Sequence, residues 1–174
     1  MLHAGGLPVP IILIGGGSRS GKSSHALTLA RQHGGRLGFL ATAQAFDDEM
    51  RDRISKHQQE RGPDFVTIEE PLDLVRVIQE RENQLDVIVV DCLTLWLSNL
   101  MFSVEQPSFD AFLEAASASP LQLILVTNEV GCGIVPENAL SRRFRDLAGT
   151  LNQQAAARAI AVYWMIFGVA LKIK

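Results

Sequence analysis

A run of glycine, serine and lysine residues near the amino terminus has the spacing of a phosphate-binding loop. It fits the pattern G-x-x-x-x-G-K-[ST]. Its residues are Gly16, Gly17, Ser18, Arg19, Ser20, Gly21, Lys22 and Ser23. In such a loop, backbone N–H groups wrap around a polyphosphate, Lys22 reaches the β- and γ-phosphates, and the Ser23 hydroxyl is a ligand for Mg²⁺. The pattern therefore predicts nucleotide binding, with Lys22 as a catalytic residue.

The segments on either side of this loop support that prediction. The apolar run 11–14 precedes it as a strand would, and the segment from Lys22 to His33 has the composition of a helix. A glycine-rich turn without a ligand is the alternative. A lysine and a serine placed between the last glycine and a helix favour phosphate binding over that alternative.

An acidic residue at the end of another apolar run is a second candidate for the metal site. Asp91 directly follows the run 87–90. In open α/β sheets, ligands bind beyond the carboxyl ends of the strands, where a carboxylate can hold Mg²⁺ directly or through water. Asp91 is therefore predicted to contact the nucleotide-bound metal. The alternative is that Asp91 caps the segment that follows it.

A helical stripe of polar side chains lies in the predicted helix 47–61. Glu49, Arg53, His57 and Arg61 are spaced four apart and share one face. Like charge from Arg53 and Arg61 disfavours protonation of His57, and a neutral imidazole can attack phosphorus while the arginines bind phosphate oxygens. Spacing alone favours the simpler interpretation, a solvated face of charged pairs.

The polar segment 127–136 also follows an apolar run and contains two glycines. It could line a substrate pocket, or its polar residues could simply form turns. His25 lies three residues after Lys22, where it could touch nucleotide or pack beneath the loop, and packing is the expected outcome. His33 stands beside two glycines at the end of a predicted helix, where a cation suits the helix dipole.

Short apolar runs alternate with segments of helical periodicity, which predicts a parallel sheet covered by helices. Strands are predicted at 11–14, 37–41, 65–68, 87–90, 121–126 and 162–167. Helices are predicted at 22–33, 47–61, 72–81, 109–116 and 139–158. Residues 169–174 predict an antiparallel edge strand, paired with 162–167 around Gly168. The fold class is therefore α/β: a RecA-like P-loop nucleoside triphosphatase, a three-layer sandwich with a mostly parallel sheet.

Length and charge limit the classes of partner. A chain of 174 residues suits one domain, here 11–174, after a flexible extension of residues 1–10. With a formal charge of −3 it has no basic field for nucleic acid, and no apolar run approaches the length of a membrane span. The two cysteines do not form a C-x-x-C pair, and no residues have the spacing of a zinc site. A nucleotide-binding loop favours a cytoplasmic location.

Several motifs in order give this chain a close, nearly full-length resemblance to a known family. They are the loop 16–23, Ala41-Thr42-Ala43, Asp48-Glu49-Met50, Arg53-Ile54 with His57, Asp91-Cys92-Leu93-Thr94-Leu95-Trp96, the segment 127–136, Phe144-Arg145-Asp146, Gly149 and Asn152-Gln153. The chain resembles the bifunctional adenosylcobinamide kinases and adenosylcobinamide-phosphate guanylyltransferases of cobalamin biosynthesis.

That resemblance implies two reactions. A nucleoside triphosphate, ATP or GTP, phosphorylates the aminopropanol hydroxyl of adenosylcobinamide. GMP then passes from GTP to the new phosphate, which gives adenosylcobinamide-GDP and pyrophosphate. Both reactions take place at a Mg²⁺-nucleotide site, and the partners are nucleotides and a corrinoid. The resemblance also implies a homotrimer.

The resemblance also assigns roles to residues. It implies that His57 takes up GMP covalently, which overturns the simpler interpretation of the helical stripe. It implies nucleotide contacts at Thr42, Ala43, Gln44, Arg53, Arg61, Glu69 and Asp91. Glu70 is the alternative to Glu69.

The chain departs from the family pattern at two positions. Ile160 stands where the family usually has aspartate, and Ala170 stands where it often has proline. Two other functions fit the nucleotide-binding motifs: a single-step kinase of a small metabolite, and a nucleotide-dependent switch. A histidine adduct distinguishes the guanylyltransferase from the first, and turnover without a corrinoid is typical of the second.

Overall fold

The computed structural model describes residues 11–44, 61–104 and 106–174. Its strands are β1 (Ile12–Gly16), β2 (Leu37–Ala41), β3 (Phe65–Glu69), β4 (Val87–Asp91), β5 (Gln122–Val126), β6 (Ala161–Ile166) and β7 (Val169–Lys172). Its helices, within the described ranges, are α1 (Lys22–His33), α2 (Leu74–Arg81), α3 (Leu93–Ser103), α4 (Asp110–Ala118) and α5 (Ala139–Arg158).

The strands form one sheet with the order β3-β2-β4-β5-β1-β6-β7. All neighbouring strands are parallel except β6 and β7, which form an antiparallel hairpin at one edge. The turn of this hairpin contains Phe167 and Gly168, whose φ angles are 51° and 81°. The predicted α/β fold and its antiparallel edge are therefore confirmed.

Helices cover both faces of the sheet. On one face, α1 packs Ala26, Leu27 and Ala30 against apolar side chains of the central strands. On the other face, helices α2 to α5 pack together over a larger core that includes Trp96 and Phe112. Alternate side chains of the buried central strands supply the two cores, since successive residues of a strand point to opposite faces. The result is three layers.

Most predicted elements are found at or near their predicted positions. The predicted bounds of α1 and α5 match the structure, and the strand ends differ by one or two residues. Helix α2 begins two residues later than predicted because Asp73 caps it: the Asp73 carboxylate accepts a hydrogen bond from the Arg76 backbone N–H at 3.0 Å. The predicted helix 47–61 lies outside the described residues except for its last residue, Arg61, which is helical.

Helix α3 is absent from the sequence-based prediction. Its sequence, LTLWLSNLMFS, is apolar on most sides, so it lacks the alternation of apolar and polar faces by which a surface helix is recognised. Leu93, Trp96 and Leu97 are buried between the sheet and neighbouring helices. A helix that is buried on most of its surface gives no periodic signal in the sequence.

Asp86, at the amino-terminal end of the sheet, provides a test of this architecture. Its carboxylate accepts hydrogen bonds from Arg36 N at 2.6 Å, Nε at 3.0 Å and Nη2 at 2.9 Å. These bonds lower the pKa of Asp86 from 3.8 to about 2. A carboxyl group whose pKa is lower in the folded protein stabilises the fold at pH values above its unfolded-state pKa. That contribution is lost as the pH falls to the folded-state pKa. We expect Asp86→Asn to lower the urea midpoint near neutral pH, by an amount that shrinks between pH 3.8 and about 2.

Asp146→Asn is the matched control for that experiment. Asp146 is exposed, and its carboxylate lies beside the Arg145 Nε, at 3.6 Å. Exposed pairs of this kind contribute little to stability. A loss in Asp86→Asn that stays constant down to the lowest pH would contradict the assignment of the stabilisation to the ionised carboxylate.

Candidate active site at the carboxyl edge of the sheet

The parallel strands bring five chain segments to one edge of the sheet. β1 leads into the loop 16–21, β2 into Thr42, and β5 into the segment 127–136. β3 and β4 end at the carboxylates Glu69 and Asp91. Since ligands of open α/β sheets bind beyond the carboxyl ends of the strands, this edge is the candidate active site.

The phosphate-binding loop is braced by the edge hairpin. Gly16 has a φ of 145°, and a Cβ at this position would lie 2.7 Å from the Met165 carbonyl oxygen. Gly21 has a φ of 95°, and a Cβ there would lie 3.3 Å from the Gly168 Cα. The Gly168 N–H donates a hydrogen bond to the Ser20 carbonyl at 3.1 Å. Both glycines are required for backbone conformation as well as for space.

Lys22 folds back over this loop. Its side chain is buried, and its Nζ donates hydrogen bonds to the Gly17 carbonyl and, at 3.4 Å, to the Ser20 hydroxyl. Burial lowers the pKa of Lys22, while interactions with Cys92 and Asp91 oppose that shift. The ammonium group therefore lies inside the loop where a phosphate would bind, with few competing contacts to water.

Asp91 interacts with two cations at the end of β4. Its carboxylate raises the pKa of both Lys22 and Arg61, against the effect of burial on each. Arg61 is 3% exposed, its guanidinium carbon lies 3.9 Å from the centre of the Phe39 ring, and Glu69 also acts on its pKa. Four predicted site residues therefore form one group of interacting charges. They are Lys22, Arg61, Glu69 and Asp91.

The position of Arg61 bears on its predicted contact with nucleotide. Its backbone carbonyl accepts a hydrogen bond from Arg31 Nη2 at 2.7 Å, and its side chain packs on Phe39. A guanidinium packed on an aromatic ring gains a cation–π attraction in place of hydration. The Phe39 ring therefore holds the Arg61 side chain in place, and the charge of Arg61 interacts with Asp91 and Glu69.

Thr42 is held by hydrogen bonds to the backbone at the end of β4. It is fully buried, and its hydroxyl donates to the Cys92 carbonyl at 2.8 Å and accepts from the Cys92 N–H at 2.9 Å. Its own N–H donates to the Asp91 carbonyl at 3.2 Å. The side chain predicted to contact nucleotide is directed at Cys92 because the hydroxyl satisfies both backbone groups there. Thr42 positions the end of β4, and the half-buried Ala43 and Gln44 follow it.

Glu69 and Glu70 have different surroundings. The Glu70 carboxylate accepts hydrogen bonds from the Leu72 and Asp73 N–H groups, both at 3.0 Å, and from Arg76. These partners lower its pKa despite its partial burial. Glu69 is exposed at the end of β3. The Glu70 carboxylate therefore stabilises the turn before α2. Glu69 is the better candidate for a contact with a ligand.

Two of the predicted site residues, Arg53 and His57, lie outside the described residues. His25 packs as expected: its ring meets that of Tyr163 edge-on at 5.0 Å, and burial lowers its pKa. His33 is exposed in the last turn of α1, next to Gly34 as predicted.

The segment after β5 is attached to the site by several hydrogen bonds. The Glu129 N–H donates to the Gly16 carbonyl at 3.1 Å, and the Asn128 N–H donates to the Thr94 hydroxyl at 2.8 Å. The Thr127 hydroxyl donates to Asn152 Oδ1 at 2.7 Å. Thr94 and Asn152 thus position this segment. Thr94 and Asn152 both lie in the family motifs, but the sequence predicted no role for either residue. Only folding brings them next to the segment 127–136.

The same edge carries exposed apolar side chains. Ile134 is 96% exposed after β5, and Phe102 is 79% exposed at the end of α3. A groove between α3 and α5 is lined by Ser98, Met101, Phe102, Leu140, Ser141 and Phe144. Trp96, in contrast, is buried and donates from Nε1 to the Leu72 carbonyl at 2.8 Å. Trp96 is therefore part of the core.

The oxygen donors at this edge fit a nucleotide-borne Mg²⁺. Ser23 lies in the first turn of α1, and Asp91 lies close enough to Lys22 for their charges to interact. Within residues 11–44, 61–104 and 106–174, no group of three or more His, Cys, Asp or Glu could hold a metal. Magnesium bound by one hydroxyl and one carboxylate takes its other ligands from phosphates and water. Across the same ranges, no helix is long and apolar enough to cross a membrane.

Comparison with known proteins decides the family. Residues 12–173 match the family CobU, described as cobinamide kinase / cobinamide phosphate guanyltransferase. The chain belongs to this family. Over 166 residues it is 42% identical to the bifunctional adenosylcobalamin biosynthesis protein CobP of Pseudomonas aeruginosa, covering 93% of this chain and 96% of that protein. Over 181 residues it is 39% identical to the bifunctional protein CobU of Escherichia coli K12, covering 94% and 99%.

A solved structure of an ATPase domain supports the fold class. It superimposes with a TM-score of 0.51 over 91% of this chain and 70% of that one, at 11% identity. At this identity the likeness concerns the fold alone. The RecA-like P-loop architecture predicted from the loop and the alternation of strands and helices is thus confirmed, as is the predicted membership of the CobU family.

The two hydrogen bonds between Thr42 and Cys92 can be tested by substitution. Thr42→Val keeps the shape of the side chain but leaves two buried backbone groups without their partner. We expect a loss of about 1–3 kcal/mol in the free energy of unfolding, measured by urea denaturation. Thr42→Ser, which keeps the hydroxyl, should retain most of the stability. Thr67→Val on the exposed face of β3 is the control, and an equal loss in that variant would contradict the assignment.

Proposed function

We propose that this chain phosphorylates adenosylcobinamide and then transfers GMP to the product, using one nucleotide site at the carboxyl edge of the sheet. The observation that carries the proposal is the full-length family match on a chain whose phosphate-binding loop, Lys22 and Asp91 meet at that edge. Nucleoside triphosphates are the substrates that such a loop binds. The trimeric state and the cytoplasmic location stay predictions.

The loop binds the triphosphate chain. Backbone N–H groups of residues 17 to 22 would face phosphate oxygens, and Lys22 would exchange its bond with the Gly17 carbonyl for bonds with the β- and γ-phosphates. Ser23 and Asp91 would hold a Mg²⁺ that arrives with the nucleotide and neutralises charge on its phosphates. Because the hairpin β6–β7 braces the loop, little reorganisation is needed when the nucleotide binds.

In the kinase reaction, the hydroxyl oxygen of the corrinoid side chain attacks the γ-phosphorus. The bond to the bridging oxygen breaks, the nucleoside diphosphate leaves, and the hydroxyl proton is lost to solvent or to a nearby base. Lys22 stabilises charge on the transferring group, and most of the catalysis comes from position and electrostatics.

In the guanylyl transfer, the imidazole of His57 attacks the α-phosphorus of GTP. A P–N bond forms as the bond to pyrophosphate breaks, and the imidazole gives up its proton. A phosphate oxygen of adenosylcobinamide phosphate then displaces the histidine and takes the GMP. Two displacements replace one difficult step. Support comes from the flanks of the segment that contains His57: Gln44 follows Thr42 at the carboxyl edge, and Arg61 interacts with Asp91.

Ala43, Gln44, Arg53, Arg61 and Glu69 are proposed to contact or orient the nucleotide. Glu69 is exposed beside the charge of Arg61, so it can meet a polar group of the nucleotide. Arg61 would stabilise the charge on the α-phosphorus from its place on the Phe39 ring.

The corrinoid is proposed to lie over the exposed apolar side chains near this edge. Ile134 and Val135 offer such surface after β5, and Phe102 and Leu140 offer it along the groove between α3 and α5. A large ring with apolar edges would cover side chains that are otherwise hydrated. These residues follow the segment that Glu129 ties to Gly16, so the acceptor would approach the nucleotide from this side.

Lys22→Ala tests whether the two reactions share one site. The variant loses a charge-assisted contact to the reacting phosphates, worth about 2–4 kcal/mol by analogy with deleted transition-state donors. We expect both kinase and guanylyltransferase rates to fall about 30- to 900-fold, measured separately with purified substrates. Lys172→Ala, an exposed lysine on β7, should leave both rates unchanged. Near-normal rates for either reaction in Lys22→Ala would show that the reactions do not share the loop.

His57→Ala tests the covalent step. Incubation of the wild type with GTP and Mg²⁺, without corrinoid, should add the mass of GMP to the peptide that contains His57, and acid should release it. The variant should form no adduct and lose guanylyl transfer, while phosphoryl transfer continues by direct attack of the substrate hydroxyl.

His33→Ala is the control, because His33 is exposed at the far end of α1. An unmodified wild type would point to a single-step kinase. Triphosphate turnover that needs no corrinoid would instead point to a nucleotide-dependent switch. Equal loss of both reactions in His57→Ala would mean that this residue is structural.

A further inference from the structure

Helix α3 sends polar side chains to the loops of the active-site edge, although most of its surface is apolar. Asn99 Nδ2 donates hydrogen bonds to the Thr42 carbonyl at 2.8 Å and to the Pro71 carbonyl at 3.0 Å. One amide group therefore connects the loop after β2 to the loop after β3. Trp96 adds a bond from the same helix to the Leu72 carbonyl at 2.8 Å.

These two loops lose their direct connection where the sheet ends. The pairing of β2 with β3 ends at Ala41 and Glu69, and one further backbone bond joins the Glu70 N–H to the Ala41 carbonyl at 3.1 Å. Asn99 links the two loops again at Thr42 and Pro71. Its side-chain amide therefore provides the connection beyond the point where the backbone hydrogen bonds between β2 and β3 end.

The residues next to these contacts are the ones proposed to meet the nucleotide. Thr42 is followed by Ala43 and Gln44, and Pro71 lies two residues after Glu69. The Thr42 side chain is already fixed on Cys92, so the Asn99 contact to its carbonyl orients the peptide that leads directly to Ala43. Displacements of about 1 Å in such positioning contacts are enough to slow a reaction strongly.

We propose that Asn99 is a positioning residue for guanylyl transfer, which holds the loops after β2 and β3 at the separation that the GTP site requires. This inference rests on the proposed function. Asn99 acts through backbone carbonyls and is not itself a catalytic residue. It bonds the loops after β2 and β3, whereas Lys22 and the loop 16–21 are held by other contacts. The loop after β2 leads through Ala43 and Gln44 to the segment that contains His57, and in the proposed function only guanylyl transfer uses that histidine. Loss of Asn99 should therefore slow formation of the GTP-dependent adduct more than phosphoryl transfer, although both reactions use the same nucleotide site.

Asn99→Asp is the sharpest substitution, because it keeps the shape of the side chain and turns the donor towards the two carbonyls into a charged acceptor. Asn99→Ala removes the donor without adding charge and serves where the charged variant does not fold. Ser103→Ala is the matched control: Ser103 lies on the same helix, and its hydroxyl donates to the Asn99 backbone carbonyl, at 2.8 Å.

Two measurements test the proposal. The first is the rate at which the GMP adduct forms as a function of GTP concentration, measured by intact mass on quenched samples. The phosphoryl-transfer rate of the same variants is measured for comparison. The second is backbone hydrogen exchange of peptides covering residues 37–44 and 65–73. We expect the Asn99 variants to lose about tenfold or more in kcat/KM for adduct formation, with phosphoryl transfer changed less than about threefold. Exchange should speed up in both peptides, while Ser103→Ala matches the wild type.

An adduct rate or an exchange pattern like that of the wild type in Asn99→Asp would overturn the inference, as would equal loss of both reactions. A wild type that forms no adduct would instead refute the proposed function. The two failures are distinguishable because the first appears only in the variants and the second appears before any substitution is made.

Discussion

The burial of the Lys22 ammonium group is the constraint on which the rest of the active-site edge depends. A charge taken out of water disfavours folding unless nearby oxygens and opposite charges offset the loss of hydration. Here the offset comes from the Gly17 carbonyl, the Ser20 hydroxyl and the charge of Asp91. The loop must therefore keep its shape, and Asp91 must stay at its place on β4. In the proposed function, nucleotide phosphates would meet a cation that is already desolvated.

The shape of the loop and the position of Asp91 are each maintained by hydrogen bonds from neighbouring segments. Thr42 holds the backbone at Asp91 and Cys92, and Asn99 holds Thr42. Gly168 holds the loop through Ser20. The supporting contacts use backbone groups on both sides, or a backbone group and a short polar side chain, which leave little freedom to reorganise. The site thus gains its rigidity from elements outside the loop 16–23, such as α3 and the edge hairpin.

Much of this arrangement could be predicted from the sequence, and the exceptions share one cause. The loop 16–23 and the bounds of α1 and α5 follow from local patterns: glycine spacing, helical periodicity and flanking turn residues. Helix α3 could not be predicted because burial on most sides removes its periodicity. Likewise, nothing near Thr42 in the sequence reveals that its hydroxyl bonds Cys92, about fifty residues away. Local signals predict elements, whereas contacts between elements decide what each polar side chain does.

Glu69 and Glu70 show how far such contacts separate neighbouring residues of the same type. Glu69 is the last residue of β3 and Glu70 follows it, yet their side chains have different partners. Glu70 meets two backbone N–H groups and Arg76 before α2, which stabilise its charge and use its oxygens. Glu69 interacts with the charge of Arg61, as does a second carboxylate, Asp91. The buried Arg61 offsets the charge of these two carboxylates near the proposed nucleotide site. This charge balance would let the acidic residues that are proposed to hold or orient a nucleotide coexist with the triphosphate they would otherwise repel.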